Sequence, residues 1–265
     1  MYCSGSDFVV MDAVTQRLFL SQQLISRLAD RSRGIGFSRI AVIEPPYDPD
    51  QDFFVQVYDP AGRDVRACID AVACGVFFVT QKNLTVTRKP VEMSSLSGAI
   101  TGKCDMSGAV SLSLHAPSFS PSSVPFRAQN QEKTYILQVA GRNVFCSALS
   151  VGSPCCVVQK PDFSQEESGQ IARALVSHER FPSGCSVCFY EAVSRTDLRV
   201  YLPCGGDVLT GGTAAAAVGI TQGFLEQTVS VSAADSQIRI RWHGDSSRVN
   251  CTVAPSLVYD GEIEI

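Results

Sequence analysis

The sequence predicts an α+β protein built from two similar halves. Residues 57–65 recur, at a constant offset of 143 residues, as residues 200–208. Each copy leads into a helix-like apolar segment that carries Thr-Gln, first at Thr80 and again at Thr221. The predicted elements also follow the same order in the two halves. These observations indicate an internal duplication, with a cleft between the halves.

Hydrophobic spacing predicts the elements of each half in turn. Each half begins with a Gly-Ser pair that leads into a strand. Apolar residues at helical spacing then predict an amphipathic helix at 21–30 and at 165–178. Runs of β-branched residues bounded by Pro, Asp and Gly predict strands at 39–44, 53–58, 187–193 and 198–201. A buried helix and a closing meander complete each half: helices 71–81 and 213–222, and strands 85–91, 109–115, 229–231 and 237–242.

Composition excludes several classes of function. A chain of 265 residues with 45% hydrophobic content can bury an ordinary core and is expected to be soluble. Its net charge of -4 and scattered Lys and Arg argue against a nucleic-acid partner. No apolar run approaches the roughly 18 residues of a membrane span, and the start lacks the pattern of a signal peptide. We therefore expect a cytoplasmic protein with no membrane partner.

The cysteines are expected to be thiols and not disulfides or metal ligands. Their number, eleven, is odd, and the chain is longer than a typical disulfide scaffold. Cys185 and Cys188 have the spacing of a zinc or redox motif, but no second pair lies at ligand distance. His115, His178 and His243 do not form a metal triad with Asp or Glu. The sequence therefore predicts no metal site.

The candidate catalytic residues lie in the two turns that precede the buried helices. Backbone N–H groups and the helix dipole favour an anion at each of them. The first turn opens on Cys68, and a thiol in this position has its pKa lowered toward neutrality, which makes it a candidate base or nucleophile. The corresponding turn before the second buried helix has no cysteine at this position and offers only the Thr210 hydroxyl. Cys68 could equally be an ordinary core residue, because free cysteine is often buried, and Cys74 is expected to be structural.

Eight segments of the chain resemble the diaminopimelate epimerase family, which inverts an α-carbon with two cysteines and no cofactor. The similar segments are 7–16, 27–31, 34–37, 42–49, 124–128, 133–136, 177–182 and 258–261. The resemblance implies two pseudo-symmetric half-domains, each a curled sheet around a central helix, and often a homodimer. With the Pro/Ser-rich segment 117–126 as the crossover, the halves comprise 1–115 plus 254–265 with Cys68, and 116–253 with the Thr210 turn.

The departures from this family fall on its working residues. The family motif Cys-Gly-Asn-Gly has become Cys68-Ile69-Asp70-Ala71, so the glycine amides that hold a substrate carboxylate are lost. About three residues are missing from the second motif, so the second thiol position holds Val208, Leu209, Thr210 or Gly211. Other residues that fall at the family's substrate-binding positions are candidates for substrate binding here, whether the family residue is replaced or retained. They are Ser6, Arg39, Asp59, Asp70, Ser153, Cys155, Ser186, Gly211 and Gly212.

Two hypotheses of different class follow. In the first, the protein is a repurposed, cofactor-independent isomerase or lyase that binds a small amino-acid-like ligand, with Cys68 as single thiol base and Thr210 as hydrogen-bonding partner. Distant relatives that are dehydratases carry threonine in place of one cysteine, which gives this exchange a chemical precedent. In the second, the protein is a catalytically inactive relative with a binding or regulatory role. Under both, it does not epimerise diaminopimelate.

Overall fold

The computed structural model describes residues 1–66, 68–85, 89–160, 163–233 and 236–263. The chain divides into two compact units. The first comprises Met1–Ser113 and the segment from Thr252 onward, and the second comprises Leu114–Cys251. None of the helices within the described ranges is long and apolar enough to cross a membrane.

The first unit is a mixed sheet with two helices. Its strand order is β1-β2-β3-β4-β5-β6-β7. Helix α1 starts after Ser21, whose side chain accepts a hydrogen bond from the backbone N–H of Leu24 at 3.2 Å. Its apolar face covers Phe37, Ile40 and Val42. The elements are β1 (Tyr2–Cys3), β2 (Ser6–Asp12), α1 (Gln22–Ala29), β3 (Arg39–Glu44), β4 (Phe53–Tyr58), α2 (Ile69–Gln81), β5 (Val91–Ser95), β6 (Gly98–Cys104) and β7 (Val110–Leu114).

The second unit repeats this plan with a longer entry hairpin. Its strand order is β15-β14-β13-β12-β11-β10-β9-β8. Helix α3 begins with a capping box between Ser164 and Glu167. The elements are β8 (Tyr135–Val139), β9 (Arg142–Ser150), β10 (Pro154–Gln159), α3 (Gln165–Val176), β11 (Ser186–Ala192), β12 (Asp197–Tyr201), α4 (Val208–Gln222), β13 (Thr228–Ala233), β14 (Ser236–Arg241) and β15 (Val249–Val253).

Strand pairing confirms the internal duplication. In the first unit, β2–β3 is parallel, β3–β4 antiparallel, β4–β5 parallel and β5–β6 antiparallel. In the second unit, β10–β11, β11–β12, β12–β13 and β13–β14 follow the same alternation. Helices α2 and α4 occupy matching places and are apolar on nearly every side, which is the pattern of a fully buried helix.

Several element boundaries differ from those predicted. Helix α4 begins at Val208, five residues before the predicted start, so Thr210 lies inside its first turn. The prediction of a Thr210 turn was therefore wrong. Gly211 and Gly212 suggested a loop, but Asp207 caps the helix and outweighs their low helix propensity. The predicted strand 85–91 is also displaced, since β5 starts only at Val91, and residues 86–88 of that prediction lie outside the described residues.

Candidate functional site

Two predicted site residues of the first unit, Cys68 and Asp70, lie at the N-terminus of α2. Cys68 is the N-cap of this helix and its side chain is only 5% exposed. Asp70, in the first turn, is 0% exposed. The Cys3 thiol donates a long hydrogen bond to Asp70 Oδ1 at 3.9 Å. Because Cys3 pairs with Ser6 across the β1–β2 hairpin, the Cys3 thiol links this hairpin to the start of α2.

The Asp70 carboxyl group changes the electrostatics of this helix end. The N-terminus of a helix carries a partial positive charge that stabilises an acidic side chain in the first turn. The Asp70 carboxyl group therefore occupies the helix end that would otherwise favour a bound anion. A substrate carboxylate would have to displace it, so this helix end is a poor carboxylate site.

Arg39 and Asp59 occupy different surroundings. Arg39 begins β3 opposite Phe8 of the parallel strand β2, at the same strand end as Ser6. Asp59 instead closes the turn after β4. Its carboxylate accepts hydrogen bonds from the N–H of Ala61 at 2.9 Å and of Arg63 at 3.0 Å, and pairs with the Arg63 guanidinium at 2.7 Å. These contacts account for Asp59 as a turn residue.

In the second unit, Asp207 and Thr210 define the start of α4. Asp207 is the N-cap, 7% exposed, and its Oδ1 accepts a hydrogen bond from the Thr210 N–H at 2.6 Å. Thr210 is 2% exposed, and its Oγ1 has no hydrogen-bond partner among the residues that the structure describes. A buried hydroxyl in this state costs about 1–3 kcal/mol relative to a satisfied one. This atom is therefore an unsatisfied buried polar group in the described part of the chain.

Two thiols line the same helix start. A side-chain carbon added at Gly211 would lie 3.4 Å from the Cys188 Sγ and 3.2 Å from the Leu202 Cδ2. Cys155 stands opposite Ser186 in the β10–β11 register, on the same face as Cys188. Burial raises the pKa of Cys155 far above its ordinary value, and that of Cys188 to about 12. Both thiols are protonated at neutral pH, so neither supplies a thiolate base.

The remaining predicted residues have structural contacts. The Ser153 carbonyl accepts a hydrogen bond from the Cys155 thiol at 3.5 Å, which places Ser153 beside the same face of the sheet. A side-chain carbon at Gly212 would lie 3.2 Å from Val231 Cγ1. Gly212 therefore permits close packing of α4 on β13 and does not face the thiols.

Three residues at the start of α4 were not among the predicted site residues: Asp207, Cys188 and Leu202. Asp207 had a signal, because an Asp three residues before a Thr at the head of an apolar run is typical of an N-cap. Cys188 and Leu202 had none, since only tertiary packing brings β11 and the segment after β12 to this helix. Within the described residues, no group of three or more His, Cys, Asp or Glu side chains could hold a metal ion.

Comparison with known proteins identifies the fold. No protein-family model matches the sequence. The structure is similar to a probable proline racemase from Agrobacterium radiobacter K84 solved with bound carbonate, with a TM-score of 0.69 and 13% identity over 97% of this chain and 91% of that one. The two chains share a fold.

Two further solved structures are similar to this chain over nearly its full length. A hydroxyproline epimerase from Agrobacterium vitis, solved with trans-4-hydroxy-L-proline, matches with a TM-score of 0.63 and 15% identity over 95% of this chain and 87% of that one. A PhzF-family phenazine biosynthesis protein from Enterococcus faecalis matches with a TM-score of 0.58 and 14% identity over 99% and 94%. These proteins belong to the same fold superfamily as diaminopimelate epimerase. The predicted α+β fold of two pseudo-symmetric halves is therefore confirmed.

Proposed function

We propose that the protein is a repurposed, cofactor-independent isomerase or lyase that acts at the α-carbon of an amino-acid-like substrate. Cys68 is its single thiol base. The proposal is supported by the asymmetry of the two helix starts, where α2 carries a thiol at its N-cap and α4 carries the Asp207 carboxylate. A cytoplasmic location and a homodimer, which the resemblance to the epimerase family implies, belong to the same proposal.

The chemistry requires one proton transfer. Cys68, the N-cap of α2, takes the α-proton as a thiolate and leaves a carbanion. Return of that proton to the same carbon and face only exchanges it, delivery to a neighbouring carbon of a conjugated substrate shifts the double bond and gives isomerisation, and departure of a β-substituent with its bonding electron pair gives elimination. The N-cap of α4 is Asp207 and not a cysteine, so the two-cysteine inversion of the epimerase family is not expected. The Thr210 hydroxyl serves as hydrogen-bonding partner in the elimination.

The buried Thr210 hydroxyl is the observation that carries a ligand-binding role. Its Oγ1 has no partner among the described residues, and a ligand atom that accepts or donates a hydrogen bond there removes the cost of that state. A protein that bound nothing would gain stability by replacing the hydroxyl with a methyl group.

Charge selects the ligand group at the helix starts. Asp70 and Asp207 are both buried acidic residues, one at the start of each central helix. Carboxylates of this kind attract an ammonium group and repel a second carboxylate. We infer that each residue, taken within its own unit, favours a substrate amino group over a carboxylate, in contrast to the carboxylate cradle of the epimerase family.

The test is α-proton exchange. Amino acids, and the corresponding amines that lack the carboxylate, are incubated with the protein in deuterated water, and deuterium at the α-carbon is followed by mass spectrometry. We expect exchange with a β-substituted member of the panel and at least a 100-fold loss in Cys68→Ala, consistent with the usual contribution of about 10²–10⁴ for one acid-base group. Cys204→Ser, at an exposed thiol, is the matched control and keeps the wild-type rate. Exchange that survives in Cys68→Ala would remove Cys68 from the mechanism.

A catalytically inactive binding protein is the second candidate. It is favoured by the raised pKa values of Cys155 and Cys188, because burial keeps both thiols protonated and leaves α4 without a thiolate. This candidate predicts saturable binding of an amino compound, measured by calorimetry, that Thr210→Val weakens, with no α-proton exchange in any member of the panel. Exchange dependent on Cys68 would exclude it.

A further inference from the structure

A cavity of the second unit carries a charge opposite in sign to that of the whole chain. Its volume is about 640 Å³, and it is lined by residues of the segment 127–132, by Tyr135 and by Arg180. Arg127 and Arg180 bring two positive charges to its wall, and Glu132 brings one negative charge. The whole chain, in contrast, has a net charge of -4. The local excess of positive charge favours an anionic ligand in this cavity.

Contacts within the protein fix the orientation of Arg180. Its guanidinium donates a hydrogen bond to the Arg127 carbonyl at 3.0 Å and lies over the Phe126 ring, 5.9 Å from the ring centroid. The backbones of the two arginines are also joined, since the Arg127 N–H donates to the Arg180 carbonyl at 2.8 Å. A guanidinium has five N–H donors in a planar fork. One bond to a carbonyl therefore leaves donors for an oxyanion.

The loop that forms the cavity wall is held in place by Tyr135. The tyrosine hydroxyl accepts a hydrogen bond from the Glu132 N–H at 2.9 Å and donates one to the Asn130 carbonyl at 3.2 Å. Tyr135 is buried, and its ring packs against Phe126 with 4.6 Å between the centroids. Both rings belong to the core of the second unit. A ligand therefore meets a largely pre-formed site and pays little to order it.

The charged side chains of this cavity are not used in ion pairs within the described part of the chain. The six ion pairs of that part involve neither arginine and not Glu132. Arginine matches the oxygens of a phosphate group in a bidentate geometry. A phosphate monoester carries a charge of about -1.5 to -2 at pH 7, which corresponds to the charge of two guanidinium groups.

We propose that this cavity binds a small, hydroxylated phosphate monoester. Its phosphate group contacts Arg127 and Arg180. The side-chain amides of Gln129 and Asn130 and the Glu132 carboxylate hydrogen-bond to hydroxyl groups on the rest of the molecule. Small-molecule sites commonly have volumes of about 300–1,000 Å³, so the cavity has room for more than an inorganic phosphate ion. The Glu132 carboxylate and the negative charge of the chain disfavour a polyanion such as nucleic acid.

Calorimetry on the full chain, with glycerol 3-phosphate as the probe, tests the proposal. We expect saturable binding of glycerol 3-phosphate, weaker binding of inorganic phosphate and no binding of glycerol. Arg127→Gln is expected to lower the affinity for glycerol 3-phosphate at least about tenfold, because it removes a charged hydrogen-bond donor. Glu132→Gln is expected to raise that affinity, because it removes a charge of the same sign as the phosphate. Arg239→Gln, at an exposed arginine of β14 outside the cavity, is the matched control and keeps the wild-type affinity.

Three results would overturn the proposal. They are no saturable binding of glycerol 3-phosphate by the wild type, an equal loss of affinity in Arg127→Gln and Arg239→Gln, and binding of inorganic phosphate as tight as that of the ester. Circular dichroism checks that each variant is folded. The inference does not rest on the proposed reaction, because none of the cavity residues lies at the start of α2 or α4. Its failure would leave the role of Cys68 untouched.

Discussion

The backbone N–H of Thr210 donates a 2.6 Å hydrogen bond to the Asp207 carboxylate, while the hydroxyl of the same threonine is buried without a partner among the described residues. The backbone N–H of Thr210 thus completes a helix cap, whereas its side-chain hydroxyl is an unsatisfied polar group. The cap stabilises the fold, and the hydroxyl carries a cost that a ligand can remove. Structural and functional roles can therefore be separated by substitution at neighbouring positions.

Removal of the Asp207 cap lowers stability. We expect Asp207→Ala to reduce the free energy of unfolding by about 1 kcal/mol, the usual loss for an N-cap oxygen. Asp207→Asn keeps an oxygen acceptor for the Thr210 N–H and is the matched control, with a loss of only a few tenths of a kcal/mol. Urea denaturation of the three proteins measures the difference. Equal midpoints for Asp207→Ala and the wild type would contradict the capping role.

Two threonines of α4 are expected to respond in opposite directions to the same change. Thr210→Val removes an unsatisfied buried hydroxyl, so the ligand-free protein gains about 1 kcal/mol. Thr213→Val removes a hydroxyl that lies 3.2 Å from the Cys251 Sγ and therefore loses about 1 kcal/mol. Both substitutions keep a β-branched side chain in the same helix. Thermal denaturation measures both, and a loss in Thr210→Val as large as that in Thr213→Val would show that the Thr210 hydroxyl is satisfied.

Stability falls at alkaline pH because of Cys188. The unfolded-state pKa of a cysteine is about 8.5, whereas burial raises the pKa of Cys188 in the folded protein to about 12. Below about pH 8.5 the Cys188 thiol is protonated in both the folded and the unfolded state, so the free energy of unfolding keeps its full value. As pH rises toward the folded pKa, the unfolded state loses its proton first, and the free energy of unfolding falls by about 1.4 kcal/mol per pH unit.

The variant Cys188→Ala isolates this effect. We expect the slope of unfolding free energy against pH, measured by urea denaturation between about pH 9.5 and 11, to be shallower by about 1.4 kcal/mol per unit than in the wild type. Cys204→Ala, at an exposed thiol, keeps the wild-type slope. An unchanged slope in Cys188→Ala would mean that the Cys188 thiol titrates normally in the folded protein.

Local signals in the sequence predicted much of the fold. The strands Arg39–Glu44 and Phe53–Tyr58 have the predicted bounds, because β-branched runs ended by turn residues need no tertiary information. The N-terminal position of Cys68 on α2 is also confirmed. The start of α4 was missed because Gly211 and Gly212 resemble a turn, whereas the cap at Asp207 determines where the helix begins.

The contacts of the thiols could not be predicted from spacing. Cys185 and Cys188 suggest one motif by sequence, but they face opposite sides of the sheet. Cys185 packs against the core cluster on the α3 side, and Cys188 lies beside Gly211 on the α4 side. Likewise, Cys155 and Cys156 are neighbours in β10 and point to opposite faces, yet both are buried because a helix covers each face. Partners from other strands decide these environments.

The labelling rate of Cys68 in the folded protein tests the central claim most directly. Iodoacetamide is added at neutral pH, and peptide mass spectrometry compares Cys68 with Cys74, a fully buried thiol of the same helix, with and without an amino compound that binds. A thiol base at the N-cap of α2 is predicted to react at least about tenfold faster than Cys74 and to be protected by the ligand. Labelling of Cys68 and Cys74 at the same slow rate, with no ligand protection, would contradict a working site at Cys68.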